Sequence, residues 1–375
     1  MKVTQQKRIF AVLSVALSIA SCSDDDASSS QSTSPDASLP QKTAREASGD
    51  KTNPSSSEVD KAAQNDAADK VLNALSTELR PTKLMPDLAK QVQLPKSLDH
   101  TLVAFSDVTT IPAGSDITFC TYTSIITKSR TFAHDSKGLQ TKFGHHAILQ
   151  YTMDHKEPGT HECKSESLEA QQSQVISGQS KEGSGGINLA KNVVSEVPAG
   201  AQIVINHHWI NTSDKDAEGQ AAVITEAPPD DLEEKDLLIA RSFIVMSTDF
   251  EIAPKTDGEA SVDCKLDEDA KLVTASGHAH ERAKRVKGQR LGSAASDVVF
   301  DDPYSEDNVT HPTIWYYAAD KPYTINKGDS VRMTCNWQNN TDDPLKFPGE
   351  MCVFVAWRIG AEKDARCVNG KWLKF

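Results

Sequence analysis

The sequence predicts an all-β fold in which two consecutive antiparallel β-sandwich domains, jelly-roll-like, follow a disordered N-terminal linker. From about Leu98 onward, short apolar runs rich in Val, Ile, Thr and Phe are separated by Pro, Gly, Asp and Asn. Few long helical patterns interrupt these runs, and together they exceed the length of one sandwich. We predict strands in TLVAFSDV, SDITFCTYTSIIT, GHHAILQYT, AQIVINHHWI, LLIARSFIVMSTDF, SVDCKL, AKLVTASGHAH, DSVRMTCNW and MCVFVAWRI.

The first 21 residues have the features of an export signal. Three basic residues precede an apolar run from Ile9 to Ala20, which is too short for a permanent membrane helix. The run ends in Ile-Ala-Ser-Cys22, which resembles the lipobox of bacterial lipoproteins. This resemblance implies that residues 1–21 are cleaved and that a lipid on Cys22 anchors the exported protein to a bacterial membrane, at the outer membrane or cell surface. An ordinary cleaved signal with a chance cysteine is the alternative.

The next two segments lead into the folded part. Residues 22–57 are predicted to be a disordered, Ser-rich linker, because Leu39 is their only large apolar residue. Residues 58–96 contain one predicted short helix, in which apolar side chains recur at helical spacing from Val71 to Leu79 until Pro81 stops the pattern.

A Pro-rich, acidic segment, EAPPDDLEEKD, divides the folded part. We therefore expect a first domain from residue 97 to 228 and a second from 229 to 375. The net charge of -13 argues against nucleic acid as a partner, and the sequence has no basic membrane patch.

Six cysteines remain of the seven when Cys22 is set aside for the lipid. Cys120 and Cys163 lie in the first predicted domain, and the other four lie in the second. An even number in each domain of an exported protein favours three disulfides. Spacing alone does not fix their pairing, and thiolate metal ligation is the competing interpretation.

Three stretches concentrate histidine in a chain that contains 11. His278 and His280 end a strand-like run, and side chains two apart in a strand share a face, so both imidazoles can point at one spot. His145 and His146 are adjacent, so they can reach one ion only at a strand end or a bulge, which the preceding Gly144 would permit.

The third stretch carries His207 and His208, and nothing in the residues says which of the two faces inward. An isolated pair of histidines is more often a surface or core feature than a site, but three such stretches in one exported β-rich chain favour metal binding. Imidazole suits zinc, copper, nickel and iron, whereas a thioether would select Cu(I). Spacing does not single out Met351, so the residues by themselves predict one or two histidine-rich metal sites, with copper favoured.

Five segments, taken in order, resemble the copper type II, ascorbate-dependent monooxygenases, the family of peptidylglycine alpha-hydroxylating monooxygenase and dopamine beta-monooxygenase. The segments are GHHAIL, PAGAQIVINHHWINTS, GHAHERA, KGDSVRMTCNWQNNT and GEMCVFVAW. They extend over roughly Leu98 to Cys367. The resemblance implies two β-sandwich domains, each with one copper ion, that face each other across a solvent-filled cleft.

The resemblance also implies which residues bind copper. The electron-transfer copper of the first domain would be bound by His145, His146 and His208. His208 matches the family better than His207 does, because Trp209 and Asn211 follow it. The oxygen-activating copper of the second domain would be bound by the catalytic set His278, His280 and Met351. The family pattern also pairs Cys120 with Cys163, Cys264 with Cys367, and Cys335 with Cys352.

The implied activity is hydroxylation of a C–H bond of a small substrate, with O₂ and two electrons from ascorbate or a similar reductant. Two coppers would store the two electrons, and the thioether would stabilise Cu(I). Three departures make a peptidylglycine substrate doubtful. Ser276 stands where the peptide-hydroxylating relatives have an arginine, and Val353 and Val355 replace an asparagine and an aromatic hydroxyl.

Two other functions are compatible with the sequence. The first is a copper-binding or copper-buffering surface lipoprotein that kept the ligands without turnover. The second is a zinc-bearing surface adhesion module, which would be indifferent to the loss of Met351.

Overall fold

Strands dominate the protein in the computed structural model, which confirms the all-β class. The structure describes residues 66–98, 100–163, 173–180, 189–292, 296–305, 308–309, 312–347 and 349–373. The predicted signal peptide at 1–21, Cys22 and the linker at 22–57 lie outside these residues. Within the described part of the chain, no helix is long and apolar enough to cross a membrane.

The described strands of the first half are β1 (Val103–Phe105), β2 (Thr109–Ile111), β3 (Asp116–Ile126), β4 (Thr131–Ala133), β5 (Asp135–Gln140), β6 (Gly144–Thr152), β7 (Gly159–Glu162), β8 (Gln174–Ser180), β9 (Val193–Val197), β10 (Gln202–Ile210), β11 (Ala217–Gly219) and β12 (Ala221–Glu226). Those of the second half are β13 (Leu238–Ser247), β14 (Glu251–Ile252), β15 (Asp257–Lys265), β16 (Ala270–His278), β17 (Ala283–Leu291), β18 (Ser296–Pro303), β19 (Ile314–Tyr316), β20 (Tyr323–Ile325), β21 (Ser330–Gln338), β22 (Leu345–Lys346), β23 (Cys352–Ile359), β24 (Ala365–Val368) and β25 (Lys371–Trp372). Seven of the nine predicted strand segments contain one of these strands, and the other two, SVDCKL and DSVRMTCNW, overlap β15 and β21.

The first half is a sandwich of a five-stranded sheet, in the order β7-β3-β10-β6-β8, and a three-stranded sheet, in the order β1-β12-β5. The two sheets share a core in which Leu149 and Ile205 of the larger sheet meet Ala104 and Val223 of the smaller one. Alternation along each strand explains this core, because every second side chain turns inward.

Short helices precede this sandwich. One helix covers residues 66–74, a 3-10 helix spans Thr77–Leu79, and an α-helix spans Pro86–Ala89. Val71, Leu75 and Leu88 are among their buried side chains, which cover the other face of the three-stranded sheet at Phe105 and Ile224. The structure therefore has a helix in the predicted lead-in, but the pattern from Val71 to Leu79 is divided between this helix and the 3-10 helix rather than forming one helix.

The second half is a larger sandwich. One sheet has the order β19-β16-β23-β13-β24-β25, with β20 also paired to β16, and the facing sheet has the order β15-β21-β17-β18. Phe243, Ala275 and Phe354 of the first sheet pack against Val286 and Met333 of the second. A 3-10 helix at Glu234–Asp236 lies in the acidic segment that links the two halves.

A strand of the first half extends a sheet of the second, because β9 runs parallel to the first residues of β13. Asp364 adds a second junction, since its carboxylate accepts hydrogen bonds from the backbone N–H groups of Val175 (2.7 Å) and Ser242 (2.9 Å). The described residues, from 66 to 373, belong to one compact unit. The division at residue 228 remains a prediction within this unit.

A short motif recurs once in each half, as WINTS at 209–213 and WQNNT at 337–341. Both tryptophans are buried, and both asparagines are only 1% exposed. Asn211 donates its side-chain N–H groups to the carbonyls of Ile111, Pro112 and Lys215.

Asn339 repeats this pattern in the second half. It donates to the carbonyls of Ile252, Ala253 and Asp343, at 3.1, 3.0 and 2.8 Å. Each asparagine therefore closes a surface turn by donating to one buried and two partly buried carbonyls, which is a structural role for these Asn-rich turns.

The three disulfides that the resemblance implied are confirmed: Cys120–Cys163, Cys264–Cys367 and Cys335–Cys352. Thiolate metal ligation by these cysteines was therefore a wrong alternative. Disulfides are typical of proteins that mature in an oxidising compartment, which agrees with export.

Replacing Asn339 by Ala is expected to lower the free energy of unfolding by about 2–4 kcal/mol, because one buried and two partly buried carbonyl hydrogen bonds are lost. Asn211→Ala should cost a similar amount in the first half. The matched control is Asn340→Ala at an exposed position in the same turn, which should cost less than about 0.5 kcal/mol. Urea denaturation measures all three, and equal effects of Asn339→Ala and Asn340→Ala would contradict the assigned role.

Candidate metal centre

His145 and His146 lie at the start of β6, where the pairing with β10 is irregular. His208 pairs with His146, but the next residue of β10, Trp209, pairs with Gly144, so His145 is the extra residue of a β-bulge. The predicted condition for both rings to reach one place is therefore confirmed. Gly144 is required here, because a Cβ at this position would lie 2.3 Å from the Cβ of Gln140.

His207 and His208 point to opposite faces of β10, as alternation requires. The ring of His207 is fully buried and has partners at both nitrogens: Trp209 Nε1 donates to Nδ1 at 2.8 Å, and Nε2 donates to the Thr121 hydroxyl at 2.9 Å. These bonds leave no nitrogen for a metal. His208 is the member of the pair that lies beside His145 and His146, which settles the question that the residues alone left open.

Asp116, the first residue of β3, orients the ring of His208. Its carboxylate accepts a hydrogen bond from His208 Nε2, which leaves Nδ1 facing the other histidines. A carboxylate in this position fixes the tautomer of a metal-binding histidine and raises its basicity. Sequence reasoning missed Asp116, because it becomes a neighbour of His208 only when β3 is paired with β10.

His278 and His280 flank Ala279, which a buried tyrosine holds in place. The Tyr304 hydroxyl donates to the carbonyl of Ala279 at 2.8 Å and accepts from its N–H at 3.1 Å. The ring of His280 donates from Nδ1 to the carbonyl of Gly349 at 3.0 Å, so Nε2 is left for another ligand. No motif in the sequence pointed to Tyr304.

The segment that carries Met351 packs against His280. The carboxylate of Glu350 accepts hydrogen bonds from the backbone N–H groups of His280 (3.2 Å) and Arg282 (3.0 Å), and from Trp337 Nε1 (2.9 Å). His278, the last residue of β16, pairs with Val353 of β23, and Met351 directly precedes β23. Met351 is half-buried.

The two predicted ligand sets meet in one cluster of five rings. The ligand nitrogens of His145, His146 and His208 all lie within 4.8 Å of one another, and so do those of His145, His278 and His280. Ring centroids across the two sets are as close as 4.9 Å, between His145 and His280. The expectation that a solvent-filled cleft separates the sets is therefore wrong for this structure, because β9 and Asp364 bring the two halves into contact.

Three of the five rings present a buried nitrogen that has no hydrogen-bond partner: His145 Nε2, His208 Nδ1 and His280 Nε2. A buried polar atom without a partner costs free energy, which a metal ion would recover. The donor set of neutral imidazoles suits copper and also zinc, nickel and iron. The residues therefore fit a metal centre, while their chemistry leaves the metal open.

Burial keeps the imidazoles of His145, His146, His278 and His280 neutral. It lowers the pKa of His278 to about 3, with smaller contributions from His280 and His208. It lowers the pKa of His280 to about 4, although the hydrogen bond to the Gly349 carbonyl partly opposes this shift. Burial, followed by the other rings of the cluster, also lowers the pKa values of His145 and His146 far below the ordinary value. Neutral imidazole is the form that binds a metal ion.

The positions that depart from the family pattern lie on the same sheet as His278. Ser276 pairs with Val355 and His278 pairs with Val353 across β16 and β23, and the Ser276 hydroxyl donates to the carbonyl of Thr313 at 2.8 Å. None of Ser276, Val353 and Val355 carries a charge.

Asp116→Asn is expected to weaken zinc binding by about 10- to 100-fold, because the amide no longer fixes the His208 ring with Nδ1 free. Asp107→Asn is the matched control, since Asp107 contacts Thr160 rather than any ring of the cluster. Competition with a chromophoric chelator measures both affinities. Equal affinities of the two variants would show that Asp116 does not position a ligand.

The metal-free protein is expected to lose stability as the pH falls from about 6.5 toward 4. The folded-state pKa values of His207 and His278, about 3, and of His280, about 4, lie below the ordinary value of 6.5. The unfolded chain therefore binds more protons in this window, and each histidine contributes up to about 1.4 kcal/mol per pH unit. Urea denaturation across this range measures the slope.

A His207→Gln variant tests this account of the pH dependence, because it removes one titrating ring outside the cluster. The slope of its unfolding free energy against pH should be smaller by up to about 1.4 kcal/mol per pH unit, which corresponds to one proton. An unchanged slope in His207→Gln, or stability that rises toward pH 5, would contradict the role of the buried rings.

No protein-family model and no curated protein matches the chain. Among solved structures, it is similar to the major capsid protein P2 from bacteriophage PM2, with a TM-score of 0.31, 7% identity, and coverage of 70% of this chain and 100% of that one. It is also similar to PBCV-1 VP54, with a TM-score of 0.26, 6% identity, and coverage of 69% of this chain and 93% of that one. A third similar structure is the PBSX exported protein XepA, with a TM-score of 0.20, 8% identity, and coverage of 71% and 89%. Scores this low carry no argument about fold or function.

Proposed function

We propose that the protein is a copper-dependent monooxygenase that hydroxylates a C–H bond of a small neutral substrate. It would use O₂ and two electrons from ascorbate or a similar one-electron donor. The observation that carries this proposal is the convergence of His145, His146, His208, His278 and His280, which are far apart in the chain, on one buried cluster with unpartnered nitrogens. The order of the histidine motifs along the chain, and their resemblance to the copper monooxygenases, support copper as the metal.

The location of the enzyme is part of the proposal. The N-terminal motif supports a lipid on Cys22, and the three disulfides agree with an oxidising compartment. The protein would then be attached to the outer membrane or cell surface of a bacterium by its lipid alone.

Two bound copper ions would supply one-electron storage and oxygen activation. The chain itself provides the ligands and controls their state. Asp116 and the carbonyl of Gly349 each hold one imidazole tautomer, so that His208 Nδ1 and His280 Nε2 are free to bind. Burial excludes water and keeps the rings of His145, His146, His278 and His280 neutral. The thioether of Met351 would favour a cuprous ion over zinc.

The substrate class is argued from the residues beside His278. Ser276, Val353 and Val355 are uncharged, and the positions at which the relatives anchor a peptide carboxylate lack an arginine or a phenol. A charged peptide end would find no counter-ion at these three positions. We therefore favour a small neutral substrate with apolar character.

A copper-holding lipoprotein without turnover is the second candidate function. The close contact between the two histidine sets favours it, because rings of both sets pack against each other within the described residues. Such packing suits retention of an ion better than entry of a substrate.

Copper content and ascorbate-driven oxygen uptake distinguish the two candidates. The monooxygenase should bind two coppers per chain, fall to about one in His278→Ala, and consume oxygen with ascorbate when a panel of small neutral aliphatic and aromatic compounds is added. Product that contains ¹⁸O from ¹⁸O₂ would confirm hydroxylation. Two coppers without any product would favour the copper-holding protein, and a preference for zinc would contradict both.

Met351→Ala is expected to lower Cu(I) affinity at least about tenfold and to abolish product formation, while leaving the copper bound by the other histidines in place. Met153→Ala is the matched control, since Met153 is 58% exposed. Cuprous affinity is measured by competition with bicinchoninate. Unchanged Cu(I) affinity and product formation in Met351→Ala would show that Met351 is not a ligand.

A further inference from the structure

His145 belongs to two overlapping groups of histidines. One group, with His146 and His208, comes from the first half of the chain. The other group joins His145 to His278 and His280 of the second half, and its ligand nitrogens also lie within 4.8 Å of one another. The ring centroid of His145 lies 4.9 Å from that of His208 and 4.9 Å from that of His280, so the ring is equally close to both sets.

We infer that His145, His278 and His280 form a metal site that joins the two halves of the chain. Its ligand would be a divalent ion that accepts three neutral imidazoles, for which zinc is the simplest probe. Three histidines with an open fourth position are a common zinc arrangement. This site takes three residues that the proposed function assigns to two coppers, so it is an alternative occupancy of the cluster. It does not depend on the proposed function, because a metal that joins the halves requires no turnover.

Two of the three rings have the required free nitrogen. His145 Nε2 and His280 Nε2 are buried and lack a hydrogen-bond partner, and both rings are nearly inaccessible to solvent. Neither nitrogen can be satisfied by water at the surface, so an ion between the two halves would give both a ligand bond. The other nitrogen of His280 is already engaged with the carbonyl of Gly349.

The backbone on each side holds these rings in place before any ion binds. On the first half, the bulge at His145 turns its ring to the same side as that of His146. On the second half, the Tyr304 hydroxyl forms hydrogen bonds with the backbone N–H and carbonyl of Ala279, between the two histidines. A site built on such held backbone loses little conformational entropy when it binds a metal.

The two groups share one ring, so in the unmodified protein they compete for His145. A measurement on the unmodified protein would therefore mix the two sites. Removing His146 and His208 eliminates the group within the first half and leaves the three ligands of the inferred site. In that background, His145 can contribute to metal binding only together with residues of the second half.

The experiment compares zinc affinities in the full-length His146→Ala/His208→Ala protein, measured by competition with a chromophoric chelator. Adding His145→Ala is expected to lower the affinity at least about tenfold, because a direct ligand is lost. Adding Met351→Ala should change it by less than about twofold, since a thioether contributes little to zinc binding. Near-UV circular dichroism verifies that each variant is folded.

Two outcomes would overturn the inference: no effect of His145→Ala, or an effect of Met351→Ala alone, which would place the ion entirely within the second half. If the double variant does not fold, the same comparison is made in His208→Asn, which keeps a polar side chain at that buried position. Because zinc binding is measured without ascorbate or oxygen, either result is independent of whether the protein is a monooxygenase.

Discussion

The contact between β9 and β13 is the interaction on which the histidine cluster depends. His145, His146 and His208 are carried by the first half, whereas His278 ends β16 of the second half and His280 lies two residues beyond it. A parallel strand pair between the halves, together with the carboxylate of Asp364, fixes how these two surfaces meet. Burial disfavours the charged carboxylate of Asp364 and raises its pKa. The N–H groups of Val175 and Ser242 donate to this carboxylate and partly offset the free-energy cost of burying it.

Strand geometry then decides which side chains reach the cluster. The alternation of β10 sends His207 into the core of the first sandwich and His208 toward the second half. His278 ends β16 and His280 lies two residues beyond it, where the contacts of Ala279 with Tyr304 and of His280 with Gly349 hold the segment. At His145 strand alternation is broken by a bulge, and Gly144 makes that break possible. Strand alternation and the bulge at His145 therefore bring the three histidines of the first half to the side that meets His278 and His280.

Part of the site could be predicted from the sequence, and part depends on contacts between distant strands. The spacing of His278 and His280 was enough to predict that their rings lie close together. The bulge at His145 was required once His145 and His146 were both assigned to one ion. The choice between His207 and His208 could not be made from local residues. It depends on Trp209 and Thr121, whose hydrogen bonds occupy both nitrogens of His207, and Thr121 lies on another strand.

The fold was predictable to a similar depth. Nine apolar runs became strands because alternation and β-branched composition are local properties, whereas the pairing of β9 with β13 and the hydrogen bonds of Asp364 join residues that are distant in the chain. The close approach of the two histidine sets is a consequence of this long-range pairing. Family resemblance implied the ligands and the disulfides, but it implied a cleft where the structure has contact.

The unpartnered nitrogens connect the docking of the halves with metal binding. Burying an imidazole nitrogen without a partner costs about 1–3 kcal/mol, and His145, His208 and His280 each bury one. The metal-free cluster therefore opposes the docking that β9 and Asp364 favour. An ion that binds these nitrogens removes the penalty, so it stabilises the docked state by its own binding free energy. Metal binding and docking of the two halves are consequently coupled, so a change in one changes the other. Residues far from any ligand, such as Asp364, therefore affect metal affinity through their effect on docking.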